Sequence, residues 1–238
     1  MSDAHNALAS GLPGMDGTTS LWDDIAGMET AELVRRFRFS VGHFDPRVFE
    51  MGDEMLDRAW LPEAGVGRWP IRVLLGHLAD SELVWAARVR KAVAEPGSVL
   101  ALWDEHAPID SGLYSPPSED PEHPTSPNGA PPAIGAFVAS LYTIRQWVGE
   151  WLGSLDEAAW ALRALHPERG ELSVRAIVEL MTWHVEHHAG YLNLKVEKLI
   201  GPRPVEDSCD HEGGGGCGKT DCACEASGQG VADTSAGG

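Results

Sequence analysis

Three histidines carry the chemistry that the residue pattern suggests most directly. His184 and His188 stand four apart in MTWHVEHHAGYL. Residues at that spacing on an α-helix sit about 40° from each other around the axis, one turn up. Two imidazoles placed this way can serve one ion. Val185 and Glu186 between them point elsewhere, and Glu186 reads as a solvated surface charge. His187, three residues from His184, also lies near the same face, so spacing alone leaves it in competition with His188. A tight site needs at least one more protein ligand; catalytic zinc centres commonly use three and keep a fourth position for water or substrate.

His77 is the candidate third ligand. It lies between Leu74 and Leu78 on the inner stripe of IRVLLGHLADSELVWAARVRKAVAEP, where a polar ring needs a partner. Taken alone, such a residue is more often a hydrogen-bonded core histidine. A zincin-type site is excluded, because H-E-x-x-H needs Glu directly after the first His and Val185 stands there. Asp80 and Ser81 follow His77 by three and four residues and so can share its face. Asp80 is the candidate catalytic group: it could orient an imidazole N–H, coordinate directly or act as a base. The plainer reading pairs it on the surface with Arg88 or Arg145. Trp85 and Trp183 read as core packing.

The elements that must position these residues are helical. One begins near Thr30, a plausible N-cap, with Leu33, Val34 and Phe37 on one face. Asp45-Pro46 interrupts it, either as a kink or as a short helix with Pro46 in its first turn. The His77 helix ends at Pro96-Gly97. A third helix is expected from Ala133 to about Leu152. Ser154 then opens S-L-D-E, a capping-box pattern leading a short helix through Trp160. HPERGEL is a turn, Ser173 caps the last long helix, and Gly201-Pro202 ends it. No strand-like alternation of useful length is found. Amphipathic helices of this kind predict an all-α, up-down four-helix bundle, spanning residues 21–202. Residues 1–20 and the acidic Gly- and Cys-rich tail 203–238 are expected to be disordered.

Between the second and third helices, residues 96–132 hold nine of the 16 prolines. Connections of that length are often lids or binding loops, and a tolerated surface insertion is the alternative. Asp104, Glu105, His106 and Asp110 are its chemically useful side chains. All four cysteines, Cys209, Cys217, Cys222 and Cys224, lie in the tail. With His211 they offer soft metal ligands, but Gly runs do not preorganise a site, and the spacing matches no paired C-x-x-C finger.

Bulk composition narrows the function. The chain has 36 acidic against 18 basic residues, a formal charge of −18, and such a field repels nucleic acid. No apolar run is long enough to cross a bilayer, and the N-terminus does not read as a secretory signal. The expected address is cytoplasmic, the expected partner a small-molecule substrate, and a homodimer is left open.

Together, GHLADSELVWAARVRKAVAEP around His77 and MTWHVEHHAGYL around His184 resemble the DinB-like metal-binding superfamily. The branch they are most similar to is the YfiT-type metal-dependent hydrolases, related to bacillithiol and mycothiol S-transferases. The resemblance covers roughly residues 30–200 and implies a four-helix bundle of DinB type holding a divalent metal, zinc or nickel, on three histidines. These correspond here to His77, His184 and His188, with His187 as the neighbouring non-ligand. It also implies a hydrolase or low-molecular-weight-thiol S-transferase with an open coordination position; a non-catalytic protein with a structural metal is the alternative. The branch typically has a further His after HLADS, where Glu82 stands, and WDEHAP keeps only part of its acidic-aromatic loop cluster.

Overall fold

The computed structural model describes residues 18–115 and 133–203. All of these fall in the first of two compact units, 1–203 and 204–238. The first seventeen residues, the later part of the Pro-rich loop and the cysteine tail lie outside the described residues. Helix α1 covers Thr18–Ala26, so regular structure begins three residues before the expected boundary at 21. Helix α2 covers Thr30–Phe39, and α3 is a single turn, Asp53–Leu56. Helix α4 covers Ile71–Ala94, α5 Ala107–Asp110, α6 Ile134–Gly153, α7 Glu157–Trp160 and α8 Val174–Ile200.

Helices α2, α4, α6 and α8 form the bundle. Both α2 and α4 pack chiefly against α6 and α8, so the first two long helices sit diagonally opposite. Two core clusters give the directions. One joins Leu33 and Phe37 of α2 to the C-terminal halves of α4 and α6 (Val89, Leu152) and the start of α8 (Ile177). The other joins the N-terminal halves of α4 and α6 (Leu74, Leu141) to the end of α8 (Leu192). Thus α2 and α8 run one way, α4 and α6 the other. Parallel neighbours need a connection that returns the full length of a helix, and this is why a long segment links α4 to α6.

Arg145 of α6 ties the bundle together at its middle. Fully buried, it donates to Phe37 O and Ser40 Oγ beside α2, to Glu82 Oε2 of α4 at 2.9 Å, and to Met181 O of α8. Leaving either charge of such a buried pair alone costs on the order of 3–5 kcal/mol. Glu82, which stands where the resembling branch has a His, is therefore a bundle-centre ion-pair partner. Glu186 corrects the surface reading: it is buried and takes a two-pronged ion pair from Arg36 of α2, at 2.8 and 2.7 Å.

Local signals held in part. Ser173 Oγ accepts from Ala176 N at the start of α8, and Gly201, at φ +86°, lies just beyond its end. Pro46 opens a short 3-10 helix, Pro46–Glu50, capped by Asp45. Thr30 is the first helical residue of α2, with Glu29 at the cap, and its hydroxyl accepts from Arg175 instead. Ser154 does not cap α7; Asp156 does, accepting from Ala159 N at 2.8 Å. An antiparallel hairpin, β1 Arg163–His166 and β2 Gly170–Ser173, stands where no strand was expected. Its turn is the HPERG stretch, and four-residue strands are too short to show a period.

Candidate metal centre

His77 lies two turns into α4 and His184 and His188 are mid-way along the antiparallel α8, so the three meet across one helix pair. One ring nitrogen from each lies within 4.8 Å of the others. The Nε2 atoms of His77 and His184 are 3.2 Å apart. Two nitrogens bound tetrahedrally at about 2.0–2.1 Å to one ion stand about 3.3 Å apart, so this spacing suits shared coordination. No fourth His, Cys, Asp or Glu among the described residues joins the cluster. His187 is not part of it: its ring stacks on Trp183 at 4.7 Å and meets Tyr191 edge-on.

The surroundings keep these rings neutral. Burial first, and the nearby His106 second, pull His77 down to about 4. Burial and the neighbouring imidazoles, with Lys195 also acting on His188, hold His184 and His188 well below the usual histidine range. A neutral imidazole keeps the lone pair that a cation needs. Nδ1 of His77 and Nδ1 of His188 are buried and find no hydrogen-bond partner among the described residues. Three buried neutral imidazoles with nitrogens this close are a donor set that suits several first-row divalent metals. The residues fit a metal.

Asp80 lies one turn beyond His77, outside the three-histidine cluster. Neither Arg88 nor Arg145 pairs with it. Arg145 is committed to Glu82, and Arg88 donates to Ala101 O at 2.7 Å. The hydroxyl of Tyr114 donates to Asp80 Oδ2 instead, and burial together with that carboxylate keeps the phenol protonated. The Tyr114 ring fits over Gly76, where a Cβ would stand 2.4 Å from its Cδ1. Only a glycine next to His77 admits it.

Around the histidines the loops contribute aromatics that periodicity could not reveal. Trp69, just before α4, lies 4.9 Å from the His77 ring and stacks at 6.0 Å on His188. Trp103 stacks on His77 at 6.2 Å. Of the loop residues singled out earlier, Asp104 accepts from the backbone N–H groups of His106 and Ala107, while Glu105 and Asp110 are exposed. Trp85 packs against the core and stacks on His166, and Trp183 is also core-packed.

The fold and the histidine arrangement define a recognisable class, and the DinB superfamily model matches residues 20–192. The chain belongs to the DinB superfamily. A protein of Oceanobacillus iheyensis named "Putative metal-dependent hydrolase" is 24% identical over 148 residues, 61% of this chain and 73% of its own. A second from that organism, similarly named, is 25% identical over 170 residues, 71% of this chain and 87% of its own. Among solved structures, YfiT from Bacillus subtilis, described as a probable metal-dependent hydrolase with an unusual four-helix bundle topology, superposes with a TM-score of 0.57 at 17% identity. That match covers 71% of this chain and 87% of YfiT and speaks for the fold. No helix among the described residues is long and apolar enough to cross a membrane.

Proposed function

We propose that His77, His184 and His188 hold one divalent metal ion, zinc or nickel, and that the chain is a metal-dependent enzyme acting on a small molecule, as a hydrolase or as a low-molecular-weight-thiol S-transferase. The carrying observation is the convergence of three neutral imidazole nitrogens with no fourth protein ligand among the described residues. A divalent ion in such a site lowers the pKa of a bound water or thiol towards neutrality. The names of the Oceanobacillus relatives favour the hydrolytic form. The indoles of Trp69 and Trp103 beside the histidines favour an apolar electrophile, as thiol transfer would need.

With a metal held by the three histidines, Asp80, one turn beyond His77, would be the group placed to take a proton from the nucleophile. Its Oδ2 is held by the Tyr114 hydroxyl, which fixes the carboxylate and leaves Oδ1 to accept. Asp80→Asn keeps the shape and removes the basicity, so turnover falls by about 10²–10⁴ while metal content is unchanged. The test is the metal-loaded protein offered a p-nitrophenyl ester, and separately a cellular thiol with 1-chloro-2,4-dinitrobenzene. Turnover of neither substrate class, with the metal in place, would instead support a structural ion.

A further inference from the structure

Trp69 and Trp103 are only partly buried, yet each is carried on a segment anchored by a buried cation. The side chain of Lys195, 1% exposed, donates to Val66 O and to Gly67 O, the latter at 3.0 Å and two residues before Trp69. Arg88, 6% exposed, donates to Ala101 O at 2.7 Å, two residues before Trp103. The same cations lie over indole rings, Lys195 over Trp60 at 5.4 Å and Arg88 over Trp85 at 4.5 Å. Burying a cation is unfavourable unless it gains strong partners, and an apolar residue in either place would pack without that cost. Here both cations take backbone carbonyls, an arrangement that fixes a loop. On the far side Tyr114, seated over Gly76, pins the segment that follows Trp103.

From this placement we infer that Trp69 and Trp103 form a binding corner for a flat, uncharged aromatic group of the substrate, with Lys195 and Arg88 as positioning residues. The inference rests on the metal reading above and names the substrate class of that same site. Trp103 lies nearly parallel to the His77 ring, at 16°, and Trp69 is tilted to it by 55°. Both indoles therefore border the His77 ring with their planes inclined to each other. A planar group attached to a metal-bound atom can stack on one indole and meet the other by its edge, both favourable aromatic geometries.

The test compares imidazole with 4-phenylimidazole as ligands of the cobalt(II)-loaded protein, read from the visible spectrum. The phenyl compound is expected to bind more tightly. Trp69→Ala and Trp103→Ala should each cut that preference, the ratio of the two affinities, about three- to tenfold. Trp103→Phe should retain most of it. Lys195→Met and Arg88→Met should reduce the preference in the same way, with the cobalt spectrum of the ligand-free protein unaltered, and Arg88→Lys should restore part of it. A phenyl preference that is absent, or that survives loss of both indoles, overturns the corner while the metal reading stands. Failure to bind cobalt, or to coordinate imidazole at all, overturns both.

Discussion

At the scale of single residues, His184 and His188 owe their meeting to helical spacing, and His77 to the antiparallel neighbour. The first was legible in the sequence because four residues nearly complete a turn. The choice between His187 and His188 was not, since three and four residues straddle 3.6. In the structure Trp183 and Tyr191 pack on the His187 ring, while His188 joins His77 and His184 in the cluster. Trp69, Trp103 and Tyr114 escaped a pattern-based reading because they sit on irregular segments, where no period marks which side chain turns inward. Gly76 was the local sign of a close approach, a residue without a side chain inside an otherwise bulky helix. Gly76→Ala would set its Cβ 2.4 Å from the Tyr114 ring, and overpacking of that kind costs about 1–3 kcal/mol. The urea midpoint should fall accordingly, and Tyr114→Ala in the same chain should remove most of the effect of the added methyl. An unchanged midpoint for Gly76→Ala would mean that Tyr114 does not occupy the notch.

At the scale of elements, α4, α6 and α8 were legible almost to the residue, because their apolar stripes and stop signals agree, whereas α2 ends at Phe39, six residues before the expected interruption at Asp45-Pro46. The helices' directions and neighbours were not legible. An amphipathic stripe is the same whichever way the helix runs, so the diagonal placement of α2 and α4 had no signature beyond the length of the links. The buried charges were hidden for a related reason: Glu186 and Arg36 are 150 positions apart, and only the parallel packing of α2 and α8 joins them. A second long-range clasp secures the end of α8. Arg47 binds Asp45 and also donates to Gly201 O and Pro202 O. The Arg47 hydrogen bond holds the Asp45 carboxyl at about 2, below its ordinary 3.8. A depressed carboxyl stabilises the fold above its unfolded pKa and loses that contribution as pH falls from about 4 through 2. The contribution is roughly 1–2 kcal/mol after screening. Asp45→Asn should therefore lower stability at pH 6 and flatten the loss between pH 4 and 2 in denaturant titrations. A parallel curve displaced by a constant amount would contradict this origin.

At the scale of the whole molecule, one ion would join α4 to α8, the antiparallel pair that runs through both core clusters. Binding only to the folded state stabilises by about 2.7 kcal/mol at a hundredfold excess over Kd. For a unit of this size that corresponds to roughly 5–10 °C in Tm. Thermal unfolding with added zinc or nickel should show that rise, a chelator should reverse it, and no change in Tm on adding either ion would contradict a metal bridging the two helices. Elemental analysis of purified wild-type protein beside His77→Ala, His184→Ala, His188→Ala and His187→Ala tests the central claim most directly. Truncating residues 204–238 from each removes the tail cysteines as a competing source of metal. The expected result is one ion per chain in the wild type and in His187→Ala, and near-complete loss in the other three. Metal content that persists in all three of those variants would contradict the assignment of His77, His184 and His188 as ligands.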